Sequence, residues 1–176
     1  MLGAAGALGC LAAGLALGSW MRERRLRRLQ LLQAQTDAVS RMRLLLEQVR
    51  PSVTELLDSA GRCVAEAEGA RPCAMRLLQM AKLMKQQPLL STSQAYEACE
   101  KQFPAPWEQA EERMAMTRFF HQLGSGTAAM REQAAASCLR RLRPLAESAQ
   151  AEADRGGKLC VQLGALMGIM AGIALW

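Results

Sequence analysis

The sequence predicts an all-α protein, a six-helix antiparallel bundle tethered at both ends by transmembrane helices. Residues 2–21 and 159–176 contain no charged side chain, and all 38 Lys, Arg, Asp and Glu residues lie between Arg22 and Lys158. Within that charged stretch, apolar and polar residues do not alternate as they would in strands. Gly and Pro instead divide it into segments with the three- and four-residue apolar spacing of amphipathic helices.

The two uncharged terminal segments are predicted membrane spans. A helix needs roughly 20 apolar residues to cross the hydrocarbon core, with about 17 as the lower limit, and both segments meet this length. Residues 2–21 are mainly Ala and Gly, so insertion of this helix alone is marginal, whereas residues 159–176 are rich in Leu, Ile and Val. A secretory signal peptide is the alternative for the first segment, but its positive charge would precede the apolar run.

Basic residues flank both spans on the side facing the middle of the chain. They are Arg22, Arg24, Arg25, Arg27, Arg28 and Lys158. Because cytoplasmic flanks are enriched in Lys and Arg, residues 22–158 are predicted to form a cytoplasmic domain, with both termini outside the cell membrane. Each Arg close to an anionic leaflet contributes about 1 kcal/mol of attraction, so these residues are also predicted to contact membrane lipid.

A nucleic-acid footprint is the alternative interpretation of the formal net charge of +6. The five clustered Arg residues and Glu23 together contribute +4 of that charge. A nucleic-acid-binding face would need basic residues spread along the folded domain, so no nucleic-acid partner is expected.

Six helices are predicted between the spans. Their ranges are 22–50, continuing from the first span, and 52–68, 73–87, 94–103, 107–122 and 127–155. Gly69 is the predicted terminator of the second helix, Ser91 and Gln94 have capping-box spacing, and Thr127 is the predicted cap of the sixth. Because short loops make consecutive helices antiparallel, an even number returns the chain to the side where it began.

Two of these helices have apolar stripes that are predicted to face the core. In the first helix the stripe is Leu32, Val39, Met42, Leu46 and Val49, and in the sixth it is Ala135, Cys138, Leu142, Leu145 and Ala149. Gly156 and Gly157 are predicted to loosen the entry to the second span.

The sequence offers no catalytic, cofactor-binding or metal-binding residues, so an enzyme is not expected. His121 is the only histidine and is interpreted as a helix-end or surface residue. The six cysteines lack the close pairs of a zinc site and are interpreted as small apolar filler. Glu108, Glu111 and Glu112 have helical spacing and are interpreted as a solvated face.

Glycines at four-residue spacing are the main interaction signal in the spans. Gly14 and Gly18 form one such unit, and Gly164, Gly168 and Gly172 form two overlapping units. This spacing lets another helix backbone approach closely, which predicts packing between the two spans or between protomers.

The order of these features resembles the stage III sporulation protein AB family. The resemblance covers nearly the whole chain and is carried by an uncharged terminal segment, an arginine cluster, and residues spread along the bundle and the second span. They are Leu26, Leu29, Leu31, Leu32, Leu46, Glu47, Pro51, Leu56, Ala95, Tyr96, Glu97, Ala98, the stretch 120–124, Lys158, Leu159, Leu163, Gly164 and Gly168.

The resemblance implies a membrane component of the engulfment-stage secretion complex, in the mother-cell membrane around the forespore. The family's soluble domain is similar to the helical F-type platform domains of type II secretion and pilus machines. By that similarity the chain would link a cytoplasmic secretion-type ATPase to other membrane subunits. Two alternatives stay open, a platform of another secretion or pilus system and a membrane-tethered regulatory bundle.

The predicted topology can be tested with reporters fused to the C-terminus of the full chain. An alkaline phosphatase fusion, which is active only outside, should be active, and a fluorescent reporter that matures only in the cytoplasm should stay dark. The same reporters inserted in the loop at residues 87–90 should give the opposite result. A C-terminal fusion that is active in the cytoplasm would contradict the topology.

Overall fold

A computed structural model describes residues 2–49, 51–64 and 67–174 of the chain. Of the side chains in residues 2–15 and 156–174, it describes those of Ala13, Gly14, Leu166 and Met170. The described ranges contain six α-helices and no strand, which confirms the predicted all-α class and helix number. The helices are α1 (Leu2–Gln48), α2 (Val53–Cys63), α3 (Arg71–Gln86), α4 (Thr92–Gln102), α5 (Ala110–Gly124) and α6 (Ala128–Ala174).

The chain divides into two compact units. One unit, called the bundle here, consists of Arg27–Glu147 and contains α2 to α5 with parts of α1 and α6. The other, called the terminal unit, consists of Met1–Leu26 together with Ser148–Trp176. The two ends of the chain therefore belong to one unit.

Of the predicted spans, residues 2–21 lie in α1 and residues 159–174 lie in α6, while residues 175 and 176 lie outside the described ones. Most of the side chains of both segments also lie outside the described ones. Across the described residues, none of the helices combines the length and the apolar character that crossing a bilayer requires.

Side-chain caps begin four of the helices. Ser91 and Gln94 form the predicted capping box of α4, with the Gln94 amide donating to the Ser91 hydroxyl at 3.2 Å. The Met130 amide donates to the Thr127 hydroxyl at 3.4 Å, which confirms the predicted cap of α6. Each cap satisfies a backbone donor that the first helical turn leaves unpaired.

Two further capping boxes were not predicted from the sequence. In α2, the Ser52 amide donates to a Glu55 carboxylate oxygen at 3.0 Å. Hydrogen bonding with the Ser52 side chain, followed by this bond from the Ser52 amide, lowers the pKa of Glu55. In α5, the Gln109 amide donates to Glu112 at 3.1 Å. The first of these has the recognisable Ser-x-x-Glu spacing.

Three predicted helix boundaries are wrong. α2 ends at Cys63 instead of 68, because Val64 is extended and buries its side chain, and the Gly69 amide then donates to Gln30 on α1 at 3.0 Å. α5 begins at Ala110 instead of 107, because the preceding residues form a turn in which the Glu108 amide donates to the Ala105 carbonyl at 3.0 Å.

α6 does not end at residue 155 but continues through Gly156 and Gly157 to Ala174. A glycine in a helix interior costs only about 1 kcal/mol relative to Ala. Two such residues with helical residues on both sides do not terminate the helix.

The bundle core is built from the predicted stripes and from aromatic residues of α4 and α5. Leu32, Val39, Met42 and Leu46 of the α1 stripe are buried as predicted, as are Ala135, Cys138 and Leu142 of the α6 stripe. Ala149 of that stripe is also buried, but it belongs to the terminal unit. Leu145 is half-buried. Tyr96 and Phe120 stack with ring centroids 4.6 Å apart. Val49 was predicted to face the core and is 68% exposed, because it lies after the last residue of α1.

Consecutive helices of the bundle pack against each other, as the short loops predict. Contacts join α2 with α3, α3 with α4, and α4 with α5. At the junction of α4 and α5, a Cβ added to Gly124 would lie 2.6 Å from the Thr92 hydroxyl. The start of α4 therefore lies beside the end of α5, which is the antiparallel arrangement.

Candidate interaction site

A buried ion pair joins α3 to the loop that precedes α5. Arg76 Nη1 donates to Glu108 Oε2 at 2.8 Å, and the two side chains are 3% and 0% exposed. Arg76 Nε also donates to the Phe103 carbonyl at 3.0 Å, and Gln35 Nε2 on α1 donates to Glu108 Oε1 at 2.8 Å. One carboxylate thus connects α1, α3 and the α4–α5 loop.

A second buried ion pair joins α1 to α5. Arg28 Nε donates to Glu112 Oε1 at 2.7 Å, with side-chain exposures of 11% and 0%. The other oxygen of Glu112 accepts from the Gln109 amide at 3.1 Å. Glu112 therefore caps its own helix and holds α1 at the same time.

Charged groups in the interior are tolerated only because they are paired. Burial by itself lowers the pKa of Arg76, but the Glu108 carboxylate, together with Tyr96 and Glu100, more than offsets this and the pKa is raised. Removing a buried charge from water is costly, and hydrogen-bonded pairing at close distance offsets the cost. The guanidinium of Arg76 stays protonated and acts as a fixed brace between helices.

The prediction that Glu108, Glu111 and Glu112 form a solvated face is wrong for two of the three residues. Glu111 is exposed as expected, but Glu108 and Glu112 are buried. Their partners Arg76 and Arg28 lie 32 and 84 residues away in the sequence. No local spacing rule connects residues so far apart, so only the tertiary structure reveals the pairs.

A third contact extends this bracing to the α2–α3 loop. Arg27 Nη2 lies 3.0 Å from Glu68 Oε1, and its guanidinium carbon lies 5.6 Å from the centre of the Trp107 ring. A Cβ added to Gly69 would lie 2.5 Å from the Arg27 carbonyl oxygen, so this position has no room for a larger residue. The loop and α1 are therefore in close contact.

The structure divides the predicted arginine cluster into two groups. Arg27 and Arg28 point into the bundle and have the partners described above. Arg22 and Arg24 are exposed and Arg25 is half-buried, with the Arg24 guanidinium 5.7 Å from the centre of the Trp20 ring. A role of the cluster in orientation or lipid contact stays a prediction.

The predicted packing glycines are only partly described. Gly14 is half-buried and Gly18 is buried. Gly164, Gly168, Gly172 and Lys158 lie outside the described side-chain positions, and their predicted roles stay predictions. His121 is exposed in the last turn of α5, as interpreted from the sequence.

The described cysteines are mostly interior. Cys73, Cys99 and Cys138 are buried, and Cys63 is exposed. Burial raises the pKa of the Cys73 and Cys138 thiols to about 12 and that of Cys99 to about 11. No group of three or more candidate metal ligands occurs among the residues that the structure describes.

Open grooves flank the part of α6 that belongs to the bundle. One groove, of about 360 Å³, lies between α6 and Arg43 of α1, and another, of about 140 Å³, lies between α6 and residues 115–122 of α5. Both are lined by arginines and by small or apolar residues, together with Gln133 in the first groove and Gln122 and Ser137 in the second. Such grooves suit a protein contact better than a small molecule, which binds in enclosed pockets.

The Arg76–Glu108 brace predicts a large stability loss when one partner is removed. Glu108→Ala should destabilise the fold by about 3–5 kcal/mol, because Arg76 is left buried without a counter-charge. The double variant Arg76→Met, Glu108→Leu should recover much of that loss. Urea unfolding of the full chain in detergent, followed by circular dichroism, measures both, with the exposed Glu111→Ala as control. Equal midpoints for Glu108→Ala and Glu111→Ala would contradict the brace.

The buried thiols predict selective reactivity and a decline in stability at high pH. At neutral pH iodoacetamide should label Cys63, while Cys73, Cys99 and Cys138 should react only in urea, as read by peptide mass spectrometry. Their folded pKa values exceed the ordinary value of 9.0. Above pH 9 these thiols ionise in the unfolded state while they stay protonated in the folded state, which favours unfolding. The urea concentration at the midpoint of unfolding should therefore fall as the pH rises towards 12, whereas these thiols should leave it unchanged below pH 9. Fast labelling of Cys73 would contradict its burial.

Comparison with known proteins identifies the family of the chain. The family model described as stage III sporulation protein AB matches residues 3–176, which is nearly the whole sequence. No curated protein and no solved structure matches the chain. The match confirms the resemblance carried by the arginine cluster, the bundle residues and the terminal segments, and this chain belongs to the stage III sporulation protein AB family.

Proposed function

We propose that this chain is a non-enzymatic membrane platform of a sporulation secretion-like channel complex. In this proposal it links a cytoplasmic secretion-type ATPase to the other membrane subunits. It would lie in the mother-cell membrane around the forespore, with the bundle in the cytoplasm and both termini outside. The observation that carries the proposal is the family match over residues 3–176, which includes both terminal segments as well as the bundle.

The use of the buried charged groups supports a structural role for the bundle. Arg28, Arg76, Glu108 and Glu112 are each held in ion pairs between helices or loops, with little or no exposed side chain. Groups fixed in this way are poorly placed to bind a substrate or to transfer protons to one. They instead fix the relative positions of α1, α3 and α5.

A fixed helical body suits a platform because docking to it carries a small entropy cost. Binding surfaces that are already ordered lose less conformational freedom on association than flexible ones. The long-range pairs give the bundle such order at the α4–α5 loop, where the seven residues 103–109 would otherwise form a connection with little regular structure.

The proposal predicts which proteins accompany the chain in cells. Affinity purification of the full-length tagged protein from cells at the engulfment stage should recover a secretion-type ATPase and other membrane subunits. The same purification from vegetative cells, and from an untagged strain, provides the control.

Each alternative function gives a different result in this experiment. A sensor kinase or transcription regulator as the main partner would favour the regulatory bundle. A pilus or secretion ATPase recovered equally from vegetative cells would favour a platform outside sporulation. Either outcome would contradict the proposed role.

A further inference from the structure

The buried residues among the described side chains of the terminal unit are small. Gly18 of α1 and Ala149 of α6 are buried, and Gly14 and Ala153, each four residues away, are half-buried. Because positions four residues apart lie on the same side of a helix, each helix has one buried stripe of small residues. These two stripes, Gly14 with Gly18 and Ala149 with Ala153, are called the small-residue faces here.

Large apolar side chains of the same unit lie on its outside. Leu17 and Trp20 of α1 are 63% and 58% exposed, and Leu166 and Met170 of α6 are 57% and 71% exposed. The bundle has the opposite arrangement, since its largest buried side chains are those of Tyr, Phe, Leu and Met residues. Among its described residues, the terminal unit therefore has small residues inside and large apolar residues outside.

This inverted arrangement is typical of helices that pack in lipid. In water, large apolar side chains drive packing because their burial is favourable. In a bilayer the lipid tails are as apolar as these side chains, so helices associate where small residues let their backbones approach closely. The described residues of the terminal unit follow the second pattern.

Ser19, in the first predicted span, has a hydrogen-bond acceptor within its own helix. Its hydroxyl donates to the Ala16 carbonyl at 2.9 Å. A polar group in the bilayer core has to be satisfied by the protein, because the core contains no water. This hydroxyl is therefore compatible with insertion of residues 2–21.

We infer that the two terminal segments insert into the membrane as one helix pair, which the small-residue faces hold together within a single chain. Residues 2–21 are mainly Ala and Gly and insert only marginally alone, whereas residues 159–176 are rich in Leu, Ile and Val. In the pair, close packing against the second segment keeps the first segment inserted. The inference rests on the proposed membrane function and specifies how the chain is anchored.

Burial within a single chain favours this pairing over an association of protomers. Gly18 is buried although the neighbouring Leu17 and Ser19 are exposed. A helix residue becomes buried when another element lies against it, and the other element of this unit is α6 from Ser148 onward. A second copy of the chain would have to displace that helix in order to use the same face.

Preventing insertion of the second segment tests whether the first depends on it. The variant Leu166→Arg, Met170→Arg places two charges in residues 159–176, and Leu166→Ala, Met170→Ala is its matched control. A Gly3→Cys substitution in the full-length chain reports the location of the N-terminus, because a membrane-impermeant maleimide reaches it in protoplasts only when it is outside. Labelling should fall about tenfold in the arginine variant and stay unchanged in the control.

A more apolar first segment should remove this dependence. Ala13 and Ala16 are exposed, so Ala13→Leu, Ala16→Leu adds apolar surface without changing the small-residue faces. Combined with the arginine variant, this change should restore labelling of the N-terminus, because the first helix can then insert alone. A misfolded bundle would not be rescued in this way.

Replacement of Gly18 tests the contact between the two helices. Gly18→Leu and Ala16→Leu both introduce a leucine, but Gly18 is buried and Ala16 is exposed. In the purified full-length chain in detergent, a cysteine introduced by Ala149→Cys should react slowly with a maleimide. Gly18→Leu should accelerate that reaction about tenfold, whereas Ala16→Leu should leave it unchanged. Peptide mass spectrometry separates this site from the exposed Cys63.

The outcomes separate this inference from the proposed function. If the N-terminus is not labelled in the chain that carries Gly3→Cys alone, the proposed membrane topology fails as well. If the arginine variant is labelled equally, or if the added leucines do not restore its labelling, the paired insertion is wrong and the platform function stands. Loss of co-purification between two differently tagged copies on Gly18→Leu, with Ala149→Cys still protected, would place the face between protomers and overturn the inference.

Discussion

The buried pairing of Arg76 with Glu108 is the constraint on which the arrangement of the bundle depends. Glu108 lies in the short loop before α5, and its carboxylate receives hydrogen bonds from both α3 and α1. Because a buried carboxylate without these partners would be strongly unfavourable, the loop has one acceptable position relative to the two helices. α5 begins two residues after Glu108, at Ala110.

The second pair, Arg28 with Glu112, repeats this arrangement one helical turn further along. Its carboxylate joins α1 to α5 and also caps α5 through the Gln109 amide. Hydrophobic burial alone would allow helices to slide or rotate, since apolar contact has little directional preference. Short, directional hydrogen bonds between charged groups fix the register of the helices, and the apolar core then fills the space between them.

Positive charge in this chain thus lies in two different environments. Arg28 and Arg76 lie in the interior, where each is neutralised by a carboxylate, and they stabilise one helix arrangement. Arg118 and Arg141 lie exposed on the outside, beside the groove between α5 and α6. The chain belongs to the stage III sporulation protein AB family, and the paired interior charges give its bundle a fixed helix arrangement.

The sequence by itself determined the helical class, the number of helices and their caps at Ser91 and Thr127, because periodicity and capping act over a few residues. It also determined the family, because the order of segments is a property of the chain alone. Only the tertiary structure decided that Glu108 and Glu112 are buried, since their arginine partners are distant in sequence. It likewise decided that α2 ends at Cys63, where Val64 is extended and buries its side chain, because that burial depends on residues distant in sequence.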